Sequence, residues 1–400
     1  MSRLSPSMRG PLHRKIEKIE VFAFDRMTEK PYLGSADKDV LDLGPDYFVR
    51  LVNGTIYPRR DRSLVVCLTD SDGAQGWGET YGLVAPKAVV ALIDDILGPY
   101  LKSLDPDHPD QVWDKLYELQ RVRGYWGGYL CDALAAIDIA LWDLLGKSTG
   151  QSIQALLAND GEGQIEGYVS GLPQKTRKER VDLALFWQEN GYDKVKLPVP
   201  AVHDGDIVAE MNALRDALGP DHKIALDMHW THSVDETIAL DRALAPMSPW
   251  YLEAPTIPED IEAQRKIAAT IEAPLALGEE WRTEWDYRHR LNACRIIQPE
   301  MGHTGVTQFM RMGDLARKQN AEIIPHATIG LGIFMAASLR ASLAAGASCH
   351  EFQHTIYHRN AELLEGAAQC ESGKFEVPNT PGHGVTPNNE ARQFLTPLTD

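Results

Sequence analysis

Three carboxylates recur at a fixed interval in the C-terminal half of this 400-residue chain: Asp227, Glu253 and Glu279, each 26 positions after the last. Each follows a short apolar run, in KIALDMHW, WYLEAP and PLALGE. Three carboxylates brought to one point raise one another's pKa unless a cation neutralises them. Oxygen-only ligation selects a hard ion, and a site with room for water and substrate suits Mg²⁺ better than Zn²⁺. Single acids often cap helices, but three in phase are hard to explain that way.

Other chemistry-bearing residues keep the same rhythm. The steps from Glu279 to Glu300, His326 and Glu351 are 21, 26 and 25 positions, one strand-helix unit each. Lys194 and Lys196 in DKVKL alternate along a strand and so share a face. Two ammonium groups side by side, near a divalent cation, lower each other's pKa, which can bring a lysine of the pair into the range of a base. His326 and Glu300 end neighbouring runs and can form a dyad in which the carboxylate fixes the ring's tautomer. His229, two residues past Asp227, is a further candidate acid or substrate ligand. The glycines of GHTGV and GLGIF follow no phosphate-loop pattern and read as turns.

These residues need strands to carry them. From about Ile165, eight short apolar runs alternate with amphipathic helical stretches: IEGYVSG, YDKVKL, KIALDMHW, WYLEAP, PLALGE, RIIQPE, EIIPHA and CHEFQ. Such runs suit a parallel sheet covered on both faces, and eight of them predict an α/β fold, a (β/α)₈ TIM barrel with its chemistry at the C-terminal strand ends. Ahead of it, IEKIEVFAF and SLVVCLTD read as strands. LCDALAAIDIALWDLLGK reads as a helix closed by Gly146. The expected organisation is an α+β capping domain over 1–145, the barrel over 146–365, and a Pro/Gly/Asn-rich segment over 366–400 returning to the cap.

Bulk properties narrow the function. Hydrophobic content of 44% and charged content of 24% are those of an ordinary globular protein, and no apolar run approaches the roughly 20 residues of a membrane span. A net charge of -17 without a basic stripe argues against nucleic acid as a partner. Five scattered cysteines form neither a disulfide framework nor a zinc-thiolate pattern, and the N-terminus lacks a secretory apolar core, so a cytoplasmic location is expected.

The motifs GWGET (76–80), AIDIALWDLLGK (136–147), KVKL, LDMHW, YLEAP, LGE, IIQP, IIPH, HEFQ and NTPGHGV resemble, in order, those of the enolase superfamily and its mandelate racemase-like group of acid-sugar dehydratases. The resemblance spans nearly the whole chain. It implies Mg²⁺ on Asp227, Glu253 and Glu279, Lys196 as a base assisted by Lys194, His326 on the opposite face, and Glu351 bound to the substrate carboxylate. His229 matches a histidine of the galactonate and mannonate dehydratase branches. Glu300 departs from the usual Asp partner of the dyad histidine. The implied reaction is α-proton abstraction from a sugar acid and dehydration to a 2-keto-3-deoxy acid. Racemisation or epimerisation and lactone cycloisomerisation are the alternatives. Specificity is expected from Phe24–Asp37 and Tyr57–Arg60, with Tyr57, Arg59 and Arg60 contacting substrate, and the chain is expected to work as a homo-oligomer.

Overall fold

The computed structural model describes residues 14–27, 40–158, 163–202, 204–327 and 330–399. Eight parallel strands form the barrel: β1 (Gly163–Ser170), β2 (Lys194–Pro198), β3 (Lys223–Asp227), β4 (Leu252–Glu253), β5 (Leu275–Leu277), β6 (Ile296–Ile297), β7 (Glu322–Ile323) and β8 (His350–Phe352). Neighbours in sequence are neighbours in the sheet from β1 to β7. The ring closes where β8 pairs with β1, His350 opposite Gly167, and where Ser348 N donates to Ile323 O at 3.1 Å. All eight apolar runs picked out by pattern are barrel strands. Their apolar residues are buried, as a sheet wrapped by helices requires. Among the described residues no helix is long and apolar enough to cross a membrane.

Several barrel helices begin at a capping box, in which Thr176 with Glu179 and Ser233 with Glu236 satisfy each other's free backbone N–H groups. Each box stops the loop soon after a strand and holds the mouth short on that side.

The cap is a four-stranded antiparallel sheet of Ile16–Met27, Arg60–Asp70 and Gln75–Tyr81, edged by Leu395–Pro397 from the far end of the chain. Along IEKIEVFAF, Ile16 and Val21 are buried in the core of the cap and Phe24 in that of the barrel side. A smaller sheet of Val40–Asp42, Tyr47–Arg50 and Thr55–Pro58 reaches over the barrel. Of the segment Phe24–Asp37 expected to carry specificity, residues 28–37 lie outside the described residues.

The helix Tyr129–Thr149 joins cap to barrel, and it is buried nearly all round. Gly78 lets a cap strand lie directly on it, since a Cβ there would collide with the Ala136 carbonyl. Its three buried acids each tie it to another part of the chain. Asp132 accepts from Arg282 Nε at 2.9 Å. Asp138 accepts from Thr307 Oγ1 at 2.6 Å, and Asp143 accepts from Trp77 N at 2.9 Å and His383 N at 3.1 Å. Glu79, from GWGET, accepts from the backbone N–H groups of Gly332, Ile333 and Phe334, so a cap carboxylate caps the helix Ile333–Ala345.

Candidate active site

Asp227 and Glu253 end β3 and β4, directly opposite each other, and Glu279 stands two residues past the end of β5. One carboxylate oxygen from each lies within 4.8 Å of the others. The donor set is all oxygen. Glu253 is pushed up to about 8 by burial first, and then by Asp227 and Glu279 against the pull of Lys196. A hard divalent cation fits this cluster, because only added positive charge relieves that cost.

His229 follows Asp227 through a turn in which His229 and Trp230 both adopt left-handed backbone (φ 46° and 55°). Two successive non-glycine residues in that region mark a strained loop held by its surroundings. The loop is pinned where Trp230 N donates to Ala254 O and His229 N to Asp227 Oδ1. His229 Nδ1 stands 3.0 Å from Asp227 Oδ1. Burial alone would lift Asp227, but the histidine's charge and hydrogen bonds hold it at about 2.

On the other side, His326 Nδ1 meets Glu300 Oε2 at 2.8 Å, while Glu300 Oε1 accepts from Gly302 N at 3.0 Å. The expected dyad therefore forms with glutamate in place of aspartate, and the longer side chain also caps the helix Met301–Gln319. His326 Nε2 lies 3.4 Å from Glu279 Oε2. Burial disfavours the charged ring, yet Glu279, Glu351 and Glu300 outweigh it and lift His326 to about 10. Glu279 heads that list, so a cation on Glu279 draws the ring back toward neutrality.

A cavity of about 300 Å³ opens above these groups. His229, Glu279 and His326 line it from the barrel, and Phe48, Tyr57 and Arg60 line it from the cap. Tyr57 stacks on Phe48 at 5.8 Å, and its hydroxyl accepts from Asn53 at 3.1 Å.

Four expected site residues stand elsewhere. Lys196 does not line the cavity. It is 3% exposed, with Nζ 2.9 Å from Glu253 Oε1 and 3.0 Å from Glu351 Oε1. Burial favours its neutral form, but the two carboxylates outweigh that and hold it protonated. Lys194 stands lower still, paired with Glu166 at 2.6 Å and Asp193 at 2.7 Å. The register explains both positions. Pro198, not a lysine, is level with Asp227, and at about 3.3 Å per residue Lys194 starts about 13 Å below the mouth. Arg59 turns outward to Asp42 at 2.9 Å and the face of Phe48. The chain passes there from the strand Thr55–Pro58 into Arg60–Asp70, alternation is interrupted, and Arg60 faces the cavity instead.

Glu351, expected on the substrate carboxylate, is 1% exposed and accepts from Ala327 N at 2.9 Å as well as from Lys196. It buttresses Lys196 and the loop after His326 rather than lining the cavity. Arg282, His303 and Trp230 do line it. His303 lies in GHTGV, which reads as a turn because one histidine among glycines carries no periodicity, and only its place three residues after Glu300 could have marked it.

Residues 52–158 match the mandelate racemase / muconate lactonizing enzyme N-terminal domain, and residues 179–391 the enolase C-terminal domain-like family. The chain is 30% identical to the D-galactarolactone cycloisomerase of Agrobacterium fabrum over 84% of its own length and 91% of that protein's. It is 26% identical to the arabinonate dehydratase of Saccharolobus solfataricus, covering 79% of this chain and 86% of that one. The solved structure of a provisionally assigned isomerase from Sinorhizobium meliloti superposes with a TM-score of 0.93 at 47% identity, covering 96% of this chain and all (100%) of that one. With both domains matched in order along most of its length, the chain belongs to the mandelate racemase-like group of the enolase superfamily.

Proposed function

We propose that this protein is a Mg²⁺-dependent enzyme that removes the α-proton of a sugar acid and then eliminates the β-oxygen, giving a 2-keto-3-deoxy acid. One observation carries the reading. Two histidines, each backed by a carboxylate, face the same cavity as a metal-site carboxylate. Asp227, Glu253 and Glu279 would hold the ion, which supplies electrostatic stabilisation of the charge that develops on the substrate carboxylate.

The chain's own groups divide the proton work. Glu300 accepts from His326 Nδ1–H, which leaves the Nε2 lone pair to take the α-proton. The C–H electrons pass into the enediolate. Protonated His229, whose Nδ1 lies 3.0 Å from Asp227 Oδ1, gives its proton to the β-oxygen as the C–O bond breaks. The resulting enol tautomerises to the keto acid. Lys196 stays charged beneath the site and offsets part of the carboxylates' repulsion.

A lactone cycloisomerase is the second reading, supported by the 30% identical relative of that name. The same elimination, with a ring oxygen in the β position, yields an isomer and releases no water. Incubation with Mg²⁺ and a panel of pentonates, hexonates, hexarates and hexarate lactones in D₂O, read by NMR and mass spectrometry, tests both. Loss of one water to a 2-keto-3-deoxy acid supports dehydration. Deuterium at the α-carbon with every C–O bond intact contradicts both and indicates racemisation or epimerisation.

A further inference from the structure

The cavity holds a third histidine that neither the metal-site carboxylates nor the acid–base pair accounts for. His303 sits in the first turn of Met301–Gln319, just ahead of Gly305, whose left-handed backbone (φ 63°) breaks the helix. Its ring is fixed on two sides. Tyr81 stacks against its face at 4.0 Å with an interplanar angle of 13°. Nδ1 lies 2.7 Å from Oδ1 of Asp132 on the cap helix.

Asp132 is buried and also takes Arg282 Nε at 2.9 Å. Burial favours its neutral form, but His303 and Arg282 outweigh that and hold it below the usual carboxylate range. An ionised carboxylate can only accept, so the hydrogen-bond network assigns the ring proton to Nδ1. Burial and the Arg282 charge both work against a second proton. Nε2 is then a lone pair on the edge of the ring left to the cavity, and no hydrogen bond among the described residues occupies it. A lone pair can take a hydroxyl hydrogen but has nothing to offer a carboxylate.

We propose that His303 is a specificity-determining residue whose Nε2 accepts a hydrogen bond from a hydroxyl of the substrate's polyol chain, beyond the reacting carbons. The proposal rests on the reading of the site as one for sugar acids. Arg282 and Asp132 act as positioning residues that hold the acceptor tautomer.

Asparagine and glutamine at 303 separate this role from a structural one. An asparagine amide falls where Nδ1 was, and a glutamine amide reaches where Nε2 was. Wild type, His303→Asn and His303→Gln, each loaded with Mg²⁺, are titrated calorimetrically with the pentonate, hexonate and hexarate panel, and their thermal midpoints are recorded. Expected is about 10- to 100-fold weaker binding by His303→Asn at a near wild-type midpoint, with His303→Gln recovering much of the loss. Unchanged affinity in His303→Asn overturns the proposal, as does Asn outperforming Gln, which is the order set by a residue that merely holds Asp132. If no acid of the panel binds wild type, the sugar-acid reading itself falls. If acids bind and His303 is indifferent, only the present inference does.

Discussion

Lys196 and His326 look alike in the sequence, basic residues at the ends of barrel strands, and differ in what surrounds them. Lys196 is locked between Glu253 and Glu351, out of the cavity. Removing it leaves two buried carboxylates facing each other, so Lys196→Ala should destabilise the protein by about 3–5 kcal/mol in urea unfolding. His326 has one nitrogen held by Glu300 and the other turned toward Glu279. His326→Ala should lower kcat by about 10²- to 10⁴-fold in steady-state assays. The metal carboxylates were legible because a 26-residue step repeats a whole strand-helix unit. The lysines were misplaced because KVKL looks like a strand end. The strand runs on to Pro198, and a difference of two residues moves a side chain one layer down the barrel.

Among the elements, the helix Tyr129–Thr149 does the joining, and its acids make the joint sensitive to pH. Burial pushes Asp138 up to about 7, against its hydrogen bonds from Thr307. An unfolded aspartate titrates near 3.9. A carboxyl with a raised folded value stabilises fully below about pH 3.9, and that contribution is lost as pH rises through about 7. Asp138→Asn should therefore flatten the part of the thermal-midpoint profile that falls between pH 4 and 7, and melts across that range check it. The barrel strands could be read from the sequence because burial on both faces makes them short, mainly apolar runs. The sheet of residues 40–58 could not, because strands of three or four half-exposed residues carry too little alternation to stand out.

For the whole molecule, the cap roofs a barrel mouth in which a carboxylate cluster fit for a cation lies beside two histidines. Under the proposed function, Mg²⁺ binds the folded cluster and not the dispersed carboxylates of the unfolded chain. An excess 100-fold above its Kd should add about 2.7 kcal/mol of stability, and chelation should remove it together with activity. A calorimetric scan with and without EDTA reads this directly. Residues far apart in the chain, such as Asp132 with His303 and Glu79 with Phe334, meet only once the cap docks, which is why no local pattern revealed them. The central claim is that histidines, not a lysine, move the α-proton. Its most direct test follows the α-proton of a turned-over sugar acid by NMR in D₂O with wild type, His326→Asn and His229→Asn. Loss of α-proton removal in His326→Asn, and its survival in His229→Asn with elimination of the β-oxygen slowed, are the predicted results. Removal at the wild-type rate in His326→Asn would contradict the assignment.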